Sequence, residues 1–390
     1  MYEYYVQQKC NYMNRRLHDE DKLRQYRQRR GEMLQHKLKL PLRIFAGCDV
    51  LEFGPGGGEN SLIWASLGAN MYLVEPVIDF HSTIRTHFNK YGCPKKLKLL
   101  AKGTLSSFVT EKLFDIVIAE GFIQATGPVW RWPRELAGFC ADRGFIIVNI
   151  CESTGALIEM LQRRVCLIAA QRYDRDKVEA AQIILGEKWR RINATRSFAD
   201  WAWDVLYNPY ANYHGLNHSG QIVKLFYNSG FDLYSSWPSL NRPMDVSWIK
   251  APLNRRNILQ EHQQAAWRLI PSMILGEPVA VKDIDDKFYK NLLHSVKNEL
   301  KGLSDLTGKT TSKKIEQIIT IHQKVVQALD LVVIDYKHTR LAHLMREIAM
   351  CLQRLDEKPE KLAKCFQQGV LSTNWGSPNQ YFVFQKTEPT

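Results

Sequence analysis

From residue 48 onward, short apolar runs alternate with longer amphipathic stretches. The runs are DVLEF (49–53), NMYLVEP (70–76), LKLLAKG (97–103), FDIVIAE (114–120) and GFIIVNI (144–150). Their spacing and near-continuous hydrophobicity are those of βαβ units whose strands are buried on both faces of a parallel sheet. ENSLIWASLGA and HSTIRTHFNKYG, lying between them, supply crossover helices. Ahead of the runs, residues 11–40 are rich in strong helix formers, with no proline before Pro41.

Behind the fifth run the period changes. Residues 152–204 read as helix, YNPYANYHGLNHSG (207–220) as a loop, and GQIVKLFYNSG as a short helix closed by Gly230. FDLYSSW (231–237) returns to strand, residues 245–370 are almost wholly helix-like, and NQYFVFQK (379–386) alternates as a strand again. The C-terminal strand therefore completes the sheet, and a helical block is inserted before it. The pattern predicts an α/β chain in three parts: a helical segment over 1–45, a sheet domain over 46–244 with 371–390, and an inserted α-helical domain over 245–370. Within the sheet domain, 152–220 is the segment expected to form a cap and line a substrate pocket.

Composition narrows the class. The 390 residues are 45% hydrophobic and 11% aromatic with no low-complexity tract, as expected of a folded protein. The N-terminus has scattered charges and lacks the apolar core of a secretory signal, and no apolar run approaches the length of a membrane span. A cytoplasmic protein without a membrane span is the expectation. Eight dispersed cysteines, with no Cys-x-x-Cys pair and no zinc-like spacing, suit a reducing compartment and give no metal site. A net charge of +13 favours anionic partners, yet the basic residues fall mostly in mixed-sign helical segments such as RQYRQRRGEMLQHKLKL. Nucleic acid is thus open on charge alone and unsupported by any motif.

The chemistry concentrates at DVLEFGPGGGEN (49–60). A strand opening onto a glycine-rich turn and a helix start brings bare backbone N–H groups against a ligand. A P-loop would need Gly-Lys-Ser/Thr where Gly58 is followed by Glu59 and Asn60. A dinucleotide fingerprint counted from Gly54 and Gly56 meets Glu59 at its sixth position, an acid that repels pyrophosphate. Another nucleotide and a purely structural turn stay open on the glycines alone.

The stretch matches E-x-G-x-G-x-G, with Glu52, Gly54, Gly56 and Gly58, and so resembles motif I of the class I S-adenosylmethionine-dependent methyltransferases. The resemblance continues over residues 48–150. Glu75, followed by Pro76, stands where the family places an acid on the ribose hydroxyls. Gly103, Thr104 and Leu105 follow the third run where the family often has Gly-Asp-Ala, so Thr104 departs from the pattern of an acid on the adenine. FDIVIAEGFIQ resembles motif IV, with Glu120 and Gly121 flanking the methionine moiety. The resemblance implies a doubly wound, mostly parallel seven-stranded sheet of order 3-2-1-4-5-7-6. It also implies S-adenosyl-L-methionine as cofactor, an EC 2.1.1 activity, and an N-terminal segment folded over the cofactor through Tyr4, Tyr5, Tyr12 and Arg27 or Arg30.

For the acceptor, the segment 200–219 is the candidate. His214 and His218, with Asp204 to orient one imidazole, are candidate general bases, as is Glu120; Trp203, Tyr207, Tyr210 and Tyr213 are candidate substrate contacts. Trp201, Trp203, Tyr207 and Tyr210 are a candidate aromatic wall, for which core packing is the competing reading. Three functions follow: O-methylation of a small-molecule or glycan acceptor, which the charge suggests is anionic; RNA methylation; and a non-catalytic scaffold whose helical insertion binds a partner or a second copy of the chain.

Overall fold

The computed structural model describes residues 4, 20–91, 93–123, 129–192, 197–209, 218–241 and 254–387. The chain packs as two compact units: 1–150 with 219–263 and 380–390, and 151–218 with 264–379.

The first unit carries the sheet. Strands β1 (Asp49–Phe53), β2 (Asn70–Val74), β3 (Leu97–Ala101), β4 (Phe114–Glu120), β5 (Cys140–Cys151), β6 (Phe231–Trp237) and β7 (Asn379–Lys386) form one seven-stranded sheet of order 3-2-1-4-5-7-6. The first five run parallel, with Leu51 opposite Tyr72 and Val117, while β6 and β7 pair antiparallel. Burial on both faces explains the apolar runs: Val50, Leu51 and Phe53 in β1, and Ile116, Val117, Ile118 and Ala119 in β4, are all buried. Helix α1 (Glu20–Glu32) ends in a π turn over Met33–Lys37, and α2 (Glu59–Ser66) and α3 (Asp79–Lys90) cross over between the first strands. Leu62 and Trp64 of α2, Ile84 and Phe88 of α3, and Leu23 of α1 share one core with Val50, Ile116 and Ile147. Phe45 stacks on Trp64 at 5.0 Å between ring centroids, tying the segment before β1 to α2. Helix α4 (Trp132–Ala137) precedes β5.

The second unit is helical. It holds α5 (Leu157–Arg172), α6 (Lys177–Arg190), α7 (Phe198–Trp201) with a π turn over Ala202–Leu206, α10 (Ile270–Leu275), α11 (Asp286–Ser304), α12 (Ser312–Val332), α13 (Arg340–Gln353) and α14 (Pro359–Leu362). Between β5 and β6 lies α8 (Ser219–Tyr227), and α9 (Arg255–Arg268) crosses from the first unit's residues into the second's. The long helices α11 and α12 meet through apolar faces: Tyr289, Leu292, Val296, Leu300 and Leu303 on α11 are buried at helical spacing and join Ile318, Val325 and Leu329 of α12.

Two expectations differ from what is found. Residues 152–218, expected as a cap on the sheet domain, pack instead with the inserted helices. Leu157, Leu161 and Val165 of α5 bury against the same core as α12 and α13, an apolar surface that sequence order cannot assign to one neighbour or another. The helix-like stretch 245–370 is interrupted between α12 and α13. Val333 leaves helical geometry to bridge Val281, and Asp335 takes a left-handed φ of 48°.

Candidate functional site

The loop after β1 has left-handed backbone at three glycines: φ is 64° at Gly54, 56° at Gly56 and 83° at Gly58. A side chain at Gly54 would also strike the Phe122 ring, its Cβ lying 2.9 Å from a ring carbon. Gly56 meets nothing within 4 Å in the Cβ direction, so its backbone faces open space. His87 of α3 holds the turn from beneath: its Nδ1 donates to the Gly57 carbonyl at 3.0 Å.

Two carboxyl groups flank the loop in different ways. Glu75, at the end of β2, accepts the Gly56 N–H on Oε2 at 2.9 Å and the Val77 N–H on Oε1 at 2.8 Å. Burial raises its pKa to about 7 against those two hydrogen bonds, which lower it. Each oxygen keeps a further lone pair for a hydroxyl donor. Glu52 lies within the fold, where its Oε2 accepts the Ser61 hydroxyl at 2.6 Å and so ties β1 to the first turn of α2. Burial pushes its pKa up to about 8, offset in part by the Ser61 hydrogen bond.

At the end of β4, Glu120 is clamped from α1. Both of its oxygens accept from Arg30 Nη2, and Oε2 also accepts from Asn60 Nδ2 at 3.4 Å. Arg30 Nη1 donates to the Tyr381 hydroxyl at 3.2 Å. The guanidinium lies 5.1 Å from the Trp64 ring centroid and 5.4 Å from that of Tyr381. One helical turn earlier, Tyr26 donates to Asn60 Oδ1 at 2.6 Å. Burial lowers the Arg30 pKa, but Glu120, Tyr381 and Tyr26 outweigh it and hold the guanidinium charged. Both Glu120 oxygens are thus already hydrogen-bonded within the fold.

The other family positions follow the C-terminal ends of β2, β3 and β4. Pro76 and Gly121 lie at the strand ends, and Gly121, with φ 78°, meets nothing within 4 Å in its Cβ direction. Gly103 packs under Val74, Leu105 is buried, and Thr104 gives both its N–H and its hydroxyl to Ser107 Oγ, at 2.8 and 3.0 Å. Ile78, 55% exposed beside Pro76, supplies an apolar surface that the sequence reading passed over. Asn60, Tyr26, Trp64 and Tyr381 were also passed over; only Asn60, within GGGEN, stood near a motif.

The acceptor candidates fare differently. Tyr210, Tyr213 and His214 lie outside the described residues, as do Tyr5 and Tyr12. His218 is 2% exposed and its Nε2 donates to the Ala266 carbonyl at 3.1 Å. Burial pushes its pKa down to about 3, Lys297 adding to the fall. It packs as a buried histidine of the helical unit. Tyr207 is buried with its hydroxyl donating to the Lys177 carbonyl at 2.5 Å. Trp203 packs edge-on to Tyr207, and Trp201 stacks among Trp189, Phe198 and Trp375 at 4.7, 5.5 and 5.5 Å. Of the aromatic wall, Trp201 and Tyr207 are buried in the helical unit's core and Trp203 packs against it. Of the N-terminal residues, Arg30 reaches the site, while Arg27 lies over Tyr91.

A sheet of order 3-2-1-4-5-7-6, with a glycine turn after β1 and an acid closing β2, is the class I methyltransferase fold. No protein-family model matches the chain. Over 115 residues it is 30% identical to a protein-L-isoaspartate O-methyltransferase of Chlorobaculum parvum, a match covering 30% of this chain and 49% of that protein. The chain thus spans about half the length of this curated relative. Among solved structures, it is similar to a putative sarcosine dimethylglycine methyltransferase from Galdieria sulphuraria (10% identity, 92% of this chain and 86% of that one, TM-score 0.36). It is also similar to the CcbJ methyltransferase from Streptomyces caelestis (19% identity, 29% and 49%, TM-score 0.27). The fold assignment stands on strand order and loop; TM-scores this low add nothing to it. Among the described residues no helix is long and apolar enough to cross a membrane, and no cluster of His, Cys, Asp and Glu could hold a metal.

Proposed function

We propose that the protein is an S-adenosylmethionine-dependent methyltransferase directed to an oxygen acceptor on a small molecule or glycan. The observation that carries the reading is the hydrogen bond from Gly56 N–H to Glu75, which joins a left-handed glycine turn to a carboxyl group at neighbouring strand ends. The site suits the cofactor. Gly56 and Gly121 leave room where any Cβ would intrude, Glu75 has lone pairs for ribose hydroxyls, and no basic side chain stands in the turn to call for phosphate. The cofactor supplies a methyl group on a sulfonium, an activated leaving group.

On this reading Gly54, Gly56 and Gly58 shape the floor, Glu75 orients the ribose, and Ile78 covers the base. Glu120 is fixed by Arg30 and Asn60 at the end of β4. Arg30 and Tyr26 fasten α1 at this end of the sheet, where the helix limits water. The relative's printed name, an O-methyltransferase, supports an oxygen acceptor. A dedicated base, if the acceptor is a hydroxyl, is assigned to His214.

Calorimetry tests the reading. S-adenosylmethionine or S-adenosylhomocysteine should bind at micromolar strength, and Gly56→Val should weaken either by about 100-fold, since a β-branched residue resists positive φ and fills the open face. Absence of binding by both ligands to folded wild-type protein, or unaltered affinity in the variant, refutes it.

A further inference from the structure

Residues of α12, of α13 and of the turn between them line an open groove of about 580 Å³ in the helical unit, Tyr336 and Lys337 coming from the turn. We propose that this groove is a second ligand site, for a small molecule that carries an oxyanion, carboxylate or phosphate, on an apolar body. Its volume falls in the range of small-molecule pockets. Val326, Ala342 and Met345 give it an apolar lining.

Three features specify the polar end. Tyr336 is 6% exposed, and its buried hydroxyl has no hydrogen-bond partner among the described residues, an arrangement native structures avoid unless a ligand or water completes it. Arg346 and Asp330, which also line the groove, are the charged groups that act on that hydroxyl. Arg346 and Lys337 form no ion pair among the described residues, so two cations stand against the single carboxylate of Asp330. The Arg346 guanidinium suits a planar or tetrahedral oxyanion, and Tyr336, on the same groove, has a hydroxyl still without an acceptor among the described residues.

His322, also on the wall, is already committed. Its Nδ1 faces Glu299 at 2.8 Å and its Nε2 faces the Met345 carbonyl at 2.8 Å. Burial lowers the His322 pKa, but Glu299 and the Met345 carbonyl outweigh it and raise it. The groove's anion affinity is left to Arg346 and Lys337.

Titration calorimetry on the full chain, with phenyl phosphate, benzoate and the neutral benzyl alcohol, tests the assignment. Phenyl phosphate or benzoate should bind saturably with a Kd below about 1 mM, the better of the two naming the oxyanion, and benzyl alcohol should bind at least about tenfold more weakly. Arg346→Glu, an exposed position that leaves the fold intact, should weaken binding at least about tenfold, and Tyr336→Phe about threefold, with melting temperatures unchanged. Lys337→Glu gives a second test at the other cation. No binding by either anion, equal binding of benzyl alcohol, or full affinity in both charge-reversed variants overturns the proposal.

Discussion

The glycine turn at 54–58 and the aromatic segment at 198–209 are equally conspicuous in the sequence, yet the structure uses them in opposite ways. The turn exposes backbone toward open space and draws Glu75 and Glu120 to strand ends around it. The aromatic segment turns its rings inward and satisfies its polar atoms on backbone carbonyls, as Tyr207 does on Lys177. Residue type alone does not separate a binding surface from a core. What separates them is where the polar atoms find their partners.

The sharpest way to break this contrast is Trp201→Ala. Removing an indole packed among three other aromatic rings should cost about 3–5 kcal/mol of stability by urea unfolding, while affinity for S-adenosylhomocysteine stays within about twofold. A large loss of affinity in protein that is still folded would return the segment to the site. Next comes Arg30→Met, which leaves Glu120 buried without its cation; a loss of about 3 kcal/mol is expected. Adding Glu120→Gln should recover part of it in a double-mutant cycle, and strict additivity would mean that the two side chains do not interact.

A smaller effect is expected from the acids beneath the turn. Glu52 and Glu75 hold their protons in the folded chain up to about pH 8 and 7, whereas an ordinary glutamate ionises near 4.5. The unfolded chain therefore binds fewer protons across that window, and stability should fall as pH rises from about 4.5 to about 8. Glu52→Gln should flatten the fall and improve stability near pH 8, relative to its effect near pH 5, by about 1 kcal/mol or more. An unchanged pH slope would show that Glu52 is ionised where it lies. The smallest effect belongs to His218→Gln: methyl-transfer turnover should stay within about threefold of wild type, and a drop of about 100-fold would make it the base after all.

Much of the sheet was legible beforehand. DVLEF, FDIVIAE, FDLYSSW and NQYFVFQK form strands over the very residues named from their pattern, because runs buried on both faces and bounded by turn residues admit few alternatives. GFIIVNI was found short, since β5 starts earlier at Cys140. The turn was legible too: positive φ at Gly54, Gly56 and Gly58 is a local demand met by local residues. Arg30 was named only as one of two arginines, and its partners were out of reach, since Glu120 lies 90 residues away and Tyr381 351.

The sequence by itself therefore determined the strands, the glycine turn and the acid that closes β2, all of which follow from periodicity and backbone sterics over a few neighbouring positions. Only the tertiary structure decided that Glu52 is an internal tie, that Glu120 is clamped by Arg30, and that His218 and the tryptophans belong to a core. Those roles depend on which distant groups a side chain meets and on how much water is left around it, and burial and hydrogen-bond partners are set when the chain packs.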